Sequence, residues 1–157
     1  MFVEIQITAL CKTKDSSFLA LEQEYLKRFS SSWKVGVREL GGEKFLKHSP
    51  SEQCRYHSEL LQKSLDPSQA LILLDEGGKE HTTQGFHQLL RIVSREGAQR
   101  MVFAIGGPQG WSDELKRSVQ HSLSLSKMTM PYQLARVVLI EQLYRVYALQ
   151  NHIPYHR

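Results

Sequence analysis

Two runs of five apolar residues, at positions 70–74 and 101–105, contain no polar side chain. A strand that is covered on both faces needs such a run, whereas a half-exposed strand alternates apolar and polar residues. The start of the chain shows the alternating pattern, because Val3, Ile5 and Ile7 are separated by polar residues. The chain therefore predicts a sheet whose central strands are buried on both faces, as in parallel sheets that carry helices on each side.

Helix signals alternate with the predicted strands. The segment Ser49-Pro50-Ser51-Glu52 is a capping box with proline at the first helical position, and the helix that follows is predicted to run to about Leu65. A further strand is predicted over residues 33–40. Strands and helices alternate without a linker or repeat, so we expect one domain over residues 1–157, an α/β fold with a mostly parallel sheet flanked by helices. The other predicted helix starts are Asp15 or Ser16, Thr82 or Thr83, Ser112 for a helix to about His121, and Pro131 for the last helix.

Composition limits the class of protein. The 157 residues suit one domain, and no apolar run approaches the roughly 20 residues that span a bilayer. The N-terminus lacks a signal-peptide pattern, and Cys11 and Cys54 have no metal-ligand spacing, which indicates free thiols in a reducing cytosol. The formal net charge of +4 slightly favours an anionic partner such as RNA. We therefore expect a cytoplasmic protein without a membrane segment.

A glycine-rich loop, Gly106-Gly107-Pro108-Gln109-Gly110, follows the second buried run. In open α/β sheets, ligands bind beyond the carboxyl ends of the strands, and glycine lets backbone approach a ligand closely. The loop has neither the spacing of a dinucleotide fingerprint nor the Gly-Lys-Ser/Thr of a P-loop. A ligand-binding loop and an ordinary tight turn both stay open. Residues 75–79, after the first buried run, are also predicted to form a loop.

A second candidate binding segment covers residues 123–131, where small hydroxyl side chains alternate with apolar ones. Its backbone can hold an adenine ring by hydrogen bonds while Leu125 and Met128 cover the ring faces. The alternative is an extended edge strand, with Thr129 capping the last helix.

The last helix carries an apolar block at residues 137–140, which implies burial on several faces. In a chain of this length, we expect a second copy to supply part of that burial. Arg136 and Arg145 flank the block. They are either solvated or paired with Glu141, or they contact a phosphate or cofactor, and the two interpretations stay open.

The chain ends in Tyr155-His156-Arg157, a short segment of rings and charge that is a poor structural terminus. It makes sense if a ligand or a second chain receives it. His152 and His156 have the spacing of a helical metal pair, but Pro154 between them breaks a helix and no further ligand lies nearby. We therefore predict no metal site.

Several motifs in this order resemble the RlmH (YbeA) family of SPOUT-class methyltransferases. The resemblance covers essentially the whole chain, weakly to about Leu65 and strongly from Leu71 onward. Near the start it departs, since relatives often have a glycine before the lysine of Leu10-Cys11-Lys12. The motifs are Leu73-Leu74-Asp75-Glu76-Gly77-Gly78-Lys79, Phe103 to Gly110, Leu123 to Pro131, Arg136-Val137, Glu141-Gln142-Leu143-Tyr144-Arg145 and Tyr155-His156-Arg157.

The resemblance implies a C-terminal trefoil knot, a homodimer, and S-adenosylmethionine bound in the loops of the knot. It also implies methylation of N3 of a pseudouridine in the helix 69 loop of bacterial 23S rRNA, within the assembled 70S ribosome. Tyr155, His156 and Arg157 would lie at the target base and face the cofactor of the partner subunit. The cofactor-binding residues that it implies are Leu74, Gly106, Gly107, Leu125, Ser126, Lys127, Met128, Thr129, Met130 and Pro131.

Chemical roles for the tail follow from its side chains. His156 is the expected proton acceptor, because histidine is mostly neutral at cytosolic pH. Tyr155 would stack on the base, and Arg157 would hold a phosphate or developing negative charge. Arg136, with Tyr155 and Arg157, is predicted to contact the RNA substrate. The competing hypotheses are a non-catalytic ribosome or RNA binder with this fold, and a SPOUT methyltransferase acting on tRNA.

Overall fold

The computed structural model describes residues 3–155 of the 157-residue chain. His156 and Arg157, predicted above to be catalytic, lie outside the described residues. The strands are β1 Val3–Ala9, β2 Trp33–Glu39, β3 Gln69–Glu80, β4 Arg100–Ile105 and β5 His121–Ser124. The helices are α1 Ser16–Leu26, α2 Pro50–Ser64, α3 Thr83–Arg95, α4 Asp113–Ser118 and α5 Tyr132–Gln150, with a 3₁₀ turn at Gly42–Phe45.

The five strands form one parallel sheet in the order β2-β1-β4-β3-β5. The two apolar runs occupy β3 and β4, which have neighbours on both sides. Side chains along β3 alternate between the two cores. Ile72 and Leu74 pack with residues of α3 and α5, whereas Leu73 packs with residues of α2 and α4. The prediction of a parallel sheet flanked by helices is therefore confirmed, and the trefoil knot remains a prediction.

Helix capping follows the sequence signals closely. Asp15, Thr82 and Ser112 cap their helices through side-chain oxygens, and Ser49 forms the complete capping box with Glu52. Each cap satisfies backbone N–H groups that have no partner inside the helix. No helix within residues 3–155 is long and apolar enough to cross a membrane.

Three predictions about elements were wrong. Residues 75–79 belong to β3, which continues to Glu80 through an irregular register. α4 ends at Ser118, and β5 begins at His121, because the backbone at Val119 is already extended. The last helix begins at Tyr132, and neither Thr129 nor Pro131 supplies a side-chain cap.

The apolar block of α5 is buried largely inside its own chain. Leu139 and Ile140 are fully buried, and Val137 is 8% exposed, against the sheet and α1. The expectation that a second copy supplies part of the burial of the last helix stays a prediction. Leu134, near the start of the helix, is 39% exposed and remains open to a partner.

Candidate functional site

A cavity of about 780 Å³ opens at the carboxyl ends of β4 and β5, beside the irregular part of β3. Its volume lies within the range of about 300–1,000 Å³ that small-molecule sites usually have. Three segments of the chain line it, one from β3, one after β4 and one after β5. The lining residues are Leu74 to Gly77, Ile105 to Trp111, Lys116, Leu123, Leu125, Ser126, Met128 to Gln133 and Ala135.

The β3 segment bends into the cavity because the pairing with β5 slips. Leu74 and Lys79 both align with Leu123, so the residues between them bulge out of the ladder. A Cβ on Gly78 would lie 3.0 Å from the backbone of Leu123, a distance too short for most side chains. Glycine at this position therefore lets β3 return to its partner strand after the bulge.

The glycine loop is tied to β3 by Trp111. The buried indole Nε1–H donates to the carbonyl of Leu74 at 2.9 Å, so the two walls of the cavity are joined by a hydrogen bond. A Cβ on Gly106 would come within 3.2 Å of the same indole. Gly110 has φ +71°, in the left-handed region where only glycine is free of strain. Trp111 and the glycines therefore fix the conformation of this loop, which forms one wall of the cavity.

Helix α2 supports the back of the glycine loop through three side chains. The Cys54 Sγ–H donates to the carbonyl of Gln109 at 3.1 Å, and Ser58 Oγ accepts from the backbone N–H of Ser112 at 2.9 Å. Between them, His57 is fully buried and its Nε2 donates to the carbonyl of Gly42 at 2.9 Å. Nδ1 of that ring has no hydrogen-bond partner within residues 3–155 and lies against Gly107.

The segment after β5 forms the outer wall. Leu125 is half-buried against the core, whereas Met128 is 78% exposed and overhangs the cavity. Ser126 Oγ accepts from the N–H of Met128 at 3.0 Å, which turns the chain toward α5. An exposed methionine beside a cavity is a flexible apolar cover that a ligand can bury.

Three charged residues among those described line the cavity, and two of them form an ion pair. Lys116 Nζ lies 3.2 Å from Asp75 Oδ1, and both residues line the cavity together with Glu76. On the opposite side, the Tyr132 hydroxyl donates to the carbonyl of Lys12 at 3.3 Å. Burial, followed by the nearby Cys11 and Glu43, raises the pKa of Tyr132, so this phenol stays a hydrogen-bond donor.

The cavity brings together nine of the ten cofactor-binding residues predicted from the sequence: Leu74, Gly106, Gly107, Leu125, Ser126, Met128, Thr129, Met130 and Pro131. Lys127 does not line it. Its Nζ lies instead 3.8 Å from the carboxylate of Glu80 at the surface.

Arg136 has partners other than the predicted phosphate. Its guanidinium is 3% exposed and donates to both carboxylate oxygens of Glu22 and, at 2.8 Å, to Glu39. Burial alone would lower the pKa of Arg136, but the two carboxylates outweigh it and raise the pKa. The guanidinium is thus bound to two carboxylates inside the chain, and we propose no substrate-binding role for Arg136.

Arg145 is paired with Glu141, which is one of the two interpretations that the sequence left open. It forms an ion pair with Glu141, one helical turn away, at 2.5 Å. Its guanidinium carbon also lies 4.9 Å from the centroid of the Tyr155 ring. Arg145 and Glu141 therefore both contact Tyr155 and hold its side chain against α5.

Tyr155 follows α5 in the chain and packs back against the middle of that helix, outside the cavity lining. Its ring meets Tyr144 edge-on at 4.8 Å, and its hydroxyl donates to Glu141 at 3.2 Å. Burial, the Tyr25 hydroxyl and the Glu141 carboxylate raise its pKa. The 19 residues of α5 span roughly 28 Å, at about 1.5 Å per residue. The chain turns back after the helix, however, because Tyr155 packs beside Glu141 and Tyr144 near the middle of α5. Tyr132 lines the cavity nine residues before Glu141, so the Tyr155 hydroxyl lies roughly 14 Å along the helix axis from the cavity of its own chain.

Sequence reasoning missed four residues that shape the cavity, namely His57, Trp111, Lys116 and Tyr132. Trp111 and Lys116 were detectable in principle, since both stand within ten residues of the glycine loop. His57 carries no local signal, because its contact with Gly107 is made by residues 50 positions apart. Within the described residues, no cluster of three or more histidine, cysteine, aspartate or glutamate side chains could hold a metal ion.

Comparison with known proteins gives similarity over nearly the whole chain. A family model described as predicted SPOUT methyltransferase matches residues 3–156. The chain is 36% identical over 155 residues to "Ribosomal RNA large subunit methyltransferase H" of Flavobacterium johnsoniae, covering 98% of this chain and 99% of the relative. The relative of the same name from Koribacter versatilis is 35% identical, with 98% of each chain covered. The one from Bacillus cytotoxicus is also 35% identical, covering 99% of this chain and all of the relative.

Proposed function

The chain belongs to the SPOUT methyltransferase family, and we propose that it methylates large-subunit ribosomal RNA with S-adenosylmethionine as the methyl donor. The curated relatives carry the name of a large-subunit rRNA methyltransferase over the full length of the match. The target that we propose is N3 of a pseudouridine in the helix 69 loop of bacterial 23S rRNA, on the assembled ribosome in the cytoplasm.

The observation that carries the proposal is the convergence of three chain segments, the irregular part of β3 and the segments after β4 and β5, on one cavity. Glycines let backbone approach a ligand from one side, and Leu125 and Met128 offer apolar cover from the other. Backbone N–H and C=O groups with apolar cover suit the nucleoside part of such a cofactor. The fit of an adenosine-containing cofactor is therefore good in volume and in chemistry.

The residues proposed to hold the cofactor are the nine that line the cavity, with Lys127 contributing only through its backbone. The bound cofactor supplies a methyl group on a positively charged sulfur, which is a reactive electrophile. Lys116 offsets the charge of Asp75, which leaves Glu76 as negative charge at the cavity, where it favours a cationic ligand. The protein's task is then to align the acceptor nitrogen with this methyl group and to exclude water, and alignment alone supplies several kcal/mol of the barrier.

The position of Tyr155 outside the lining of its own cavity supports a homodimer. Tyr155 packs beside Glu141 instead, and in a homodimer the tail would reach the cavity of the partner subunit. We propose that Tyr155 stacks on the target base, that His156 accepts the N3 proton, and that Arg157 holds a phosphate or the developing charge on the ring. Tyr155 would leave its bond with Glu141, or share it, on binding RNA.

The test is methyl transfer from labelled S-adenosylmethionine to unmodified 70S ribosomes, followed by mapping of the modified nucleotide. We expect one labelled nucleotide, in helix 69, and much weaker transfer to naked 23S rRNA, since a single small domain must read the shape of a large target. His156→Ala should lower turnover far more than cofactor affinity. Cofactor binding without transfer to ribosomes but with transfer to tRNA would favour the tRNA hypothesis, and absence of cofactor binding would favour a non-catalytic RNA binder.

A further inference from the structure

Cations and stacked aromatic rings combine on one surface outside the cavity, at the 3₁₀ turn and the first half of α2. Phe45 and Tyr56 stack with their ring centroids 4.9 Å apart and their planes inclined by 21°. Lys44 Nζ lies 5.1 Å from the Phe45 centroid, and Arg55 Cζ lies 4.8 Å from the Tyr56 centroid. Lys47, next along the turn, is exposed. We call Lys44, Phe45, Lys47, Arg55 and Tyr56 the basic aromatic surface.

The carboxylates beside this surface have other partners. Glu52 bonds the backbone and the hydroxyl of Ser49 in the capping box, which holds its pKa below the usual range. Glu43 accepts a hydrogen bond from the backbone N–H of Lys12. Both carboxylates keep their negative charge, but these hydrogen bonds hold them at Ser49 and Lys12, beside the three cations.

Two sets of contacts connect the basic aromatic surface to walls of the cavity, although none of its five residues lines the cavity. Cys54, on the same helix as Arg55 and Tyr56, bonds the carbonyl of Gln109, which lines the cavity. Lys12, bonded to the turn through Glu43, bonds in turn to Tyr132 on another wall of the cavity. The surface is therefore joined to the glycine loop from the α2 side.

The chemistry of the surface fits an RNA strand. Lysine and arginine neutralise phosphates, and arginine and aromatic planes stack on unpaired bases. The cation–π contacts hold each of the two cationic side chains over its own ring before binding, which reduces the ordering cost. We propose that the basic aromatic surface binds the rRNA backbone next to the target nucleotide, an inference that rests on the proposed function.

The test compares two charge-reversed variants of the full chain. Lys44→Glu/Arg55→Glu alters the proposed surface. The matched control, Arg91→Glu/Arg95→Glu, alters two exposed arginines of α3 beside a groove at the amino ends of β1 and β4, the opposite edge of the sheet. Binding to unmodified 70S ribosomes is measured by co-sedimentation over a range of salt concentrations. Calorimetry with S-adenosylmethionine and thermal melting check the cavity and the fold.

We expect the Lys44→Glu/Arg55→Glu variant to bind ribosomes at least about tenfold more weakly, and the control to change by less than about twofold. The slope of log affinity against log salt should fall by roughly 1.4, since each lost contact to a single strand removes about 0.7. Affinity for S-adenosylmethionine should stay within about twofold of wild type.

Equal ribosome affinity of the two variants overturns the proposal, as does a larger loss in the control or a wild-type chain that does not bind ribosomes. Failure of the proposed function gives a different result. In that case the wild-type chain binds ribosomes and loses binding on charge reversal, yet transfers no methyl group. If methyl transfer occurs and Lys44→Glu/Arg55→Glu keeps the wild-type KM for ribosomes, the function stands and the surface is rejected.

Discussion

The imidazole of His57 occupies the space that a side chain on Gly107 would need. A Cβ built on Gly107 lies 2.5 Å from Cε1 and 2.6 Å from Nδ1 of the ring, distances that real side chains essentially never show. The ring cannot easily withdraw, because it is fully buried and bonded to the carbonyl of Gly42. The position of the glycine loop is therefore set by a residue of α2.

Gly107→Ala should weaken S-adenosylmethionine binding by at least about tenfold, or about 1.4 kcal/mol, because the loop must move into the cavity to clear His57. Isothermal titration calorimetry measures the change. Gly36→Ala is the matched control, since nothing lies within 4 Å of the position that its Cβ would take and β2 is remote from the cavity. Equal affinities of the two variants would show that the contact does not control the loop.

Removal of the ring should relieve the same clash. We expect His57→Ala/Gly107→Ala to bind S-adenosylmethionine more tightly than Gly107→Ala, although His57→Ala alone loses a hydrogen bond and leaves a space behind the loop. A double-mutant cycle on cofactor affinity measures the coupling. Strictly additive effects would mean that the two residues act independently.

Trp111→Phe should loosen the link between β3 and the glycine loop. The buried carbonyl of Leu74 loses its indole donor, which costs about 1–3 kcal/mol in the free energy of unfolding. Urea denaturation gives this cost, and calorimetry gives the accompanying loss of cofactor affinity. If neither the free energy of unfolding nor the cofactor affinity changes, the hydrogen bond does not support the site.

Glu22→Gln should destabilise the fold by roughly 3 kcal/mol, because it removes one carboxylate from a buried arginine. Glu24→Gln, on the exposed side of the same helix, is the control. Its carboxylate pairs with Lys27 and Arg28 in solvent, where such pairs contribute little. Denaturation at neutral pH compares the two, and equal losses would contradict a special role for the buried cluster.

Stability should fall in alkali through Cys11. Burial, with help from Glu43, raises the pKa of this thiol from 9.0 to about 11, so the folded state holds the proton more tightly than the unfolded chain. The thiol's contribution is fully present below pH 9 and is lost between about pH 9 and pH 11, at up to roughly 1.4 kcal/mol per pH unit. Cys11→Ala should flatten this part of the curve in urea denaturation. A curve parallel to wild type would exclude the thiol as its source.

The sequence predicted well what depends on local pattern. Apolar runs identified β3 and β4, and hydroxyl caps identified the helix starts, because both signals are read within a few residues. The glycine loop was predicted as well, since it comes directly after β4. The resemblance to a known family then singled out residues of this loop and of other segments, and nine of them line one cavity.

Contacts between distant parts of the chain escaped prediction. The partners of Arg136 are 114 and 97 residues away, so the nearby Glu141 was the only candidate visible in sequence. Residues 75–79 read as a loop because paired glycines are rare in strands, whereas the fold uses them to form a bulge and then resume pairing. In both cases the deciding neighbour is supplied by tertiary structure.

The position of Tyr155 outside the cavity of its own chain has a genetic consequence. If the tail of each chain acts at the cavity of the other subunit, two defective copies can complement one another. One copy supplies an intact tail and the other supplies an intact cavity. A pairing of Gly107→Ala with His156→Ala subunits would then contain one competent centre, although either variant alone is impaired. Co-expression of the two would restore methylation, which chains acting singly could not achieve.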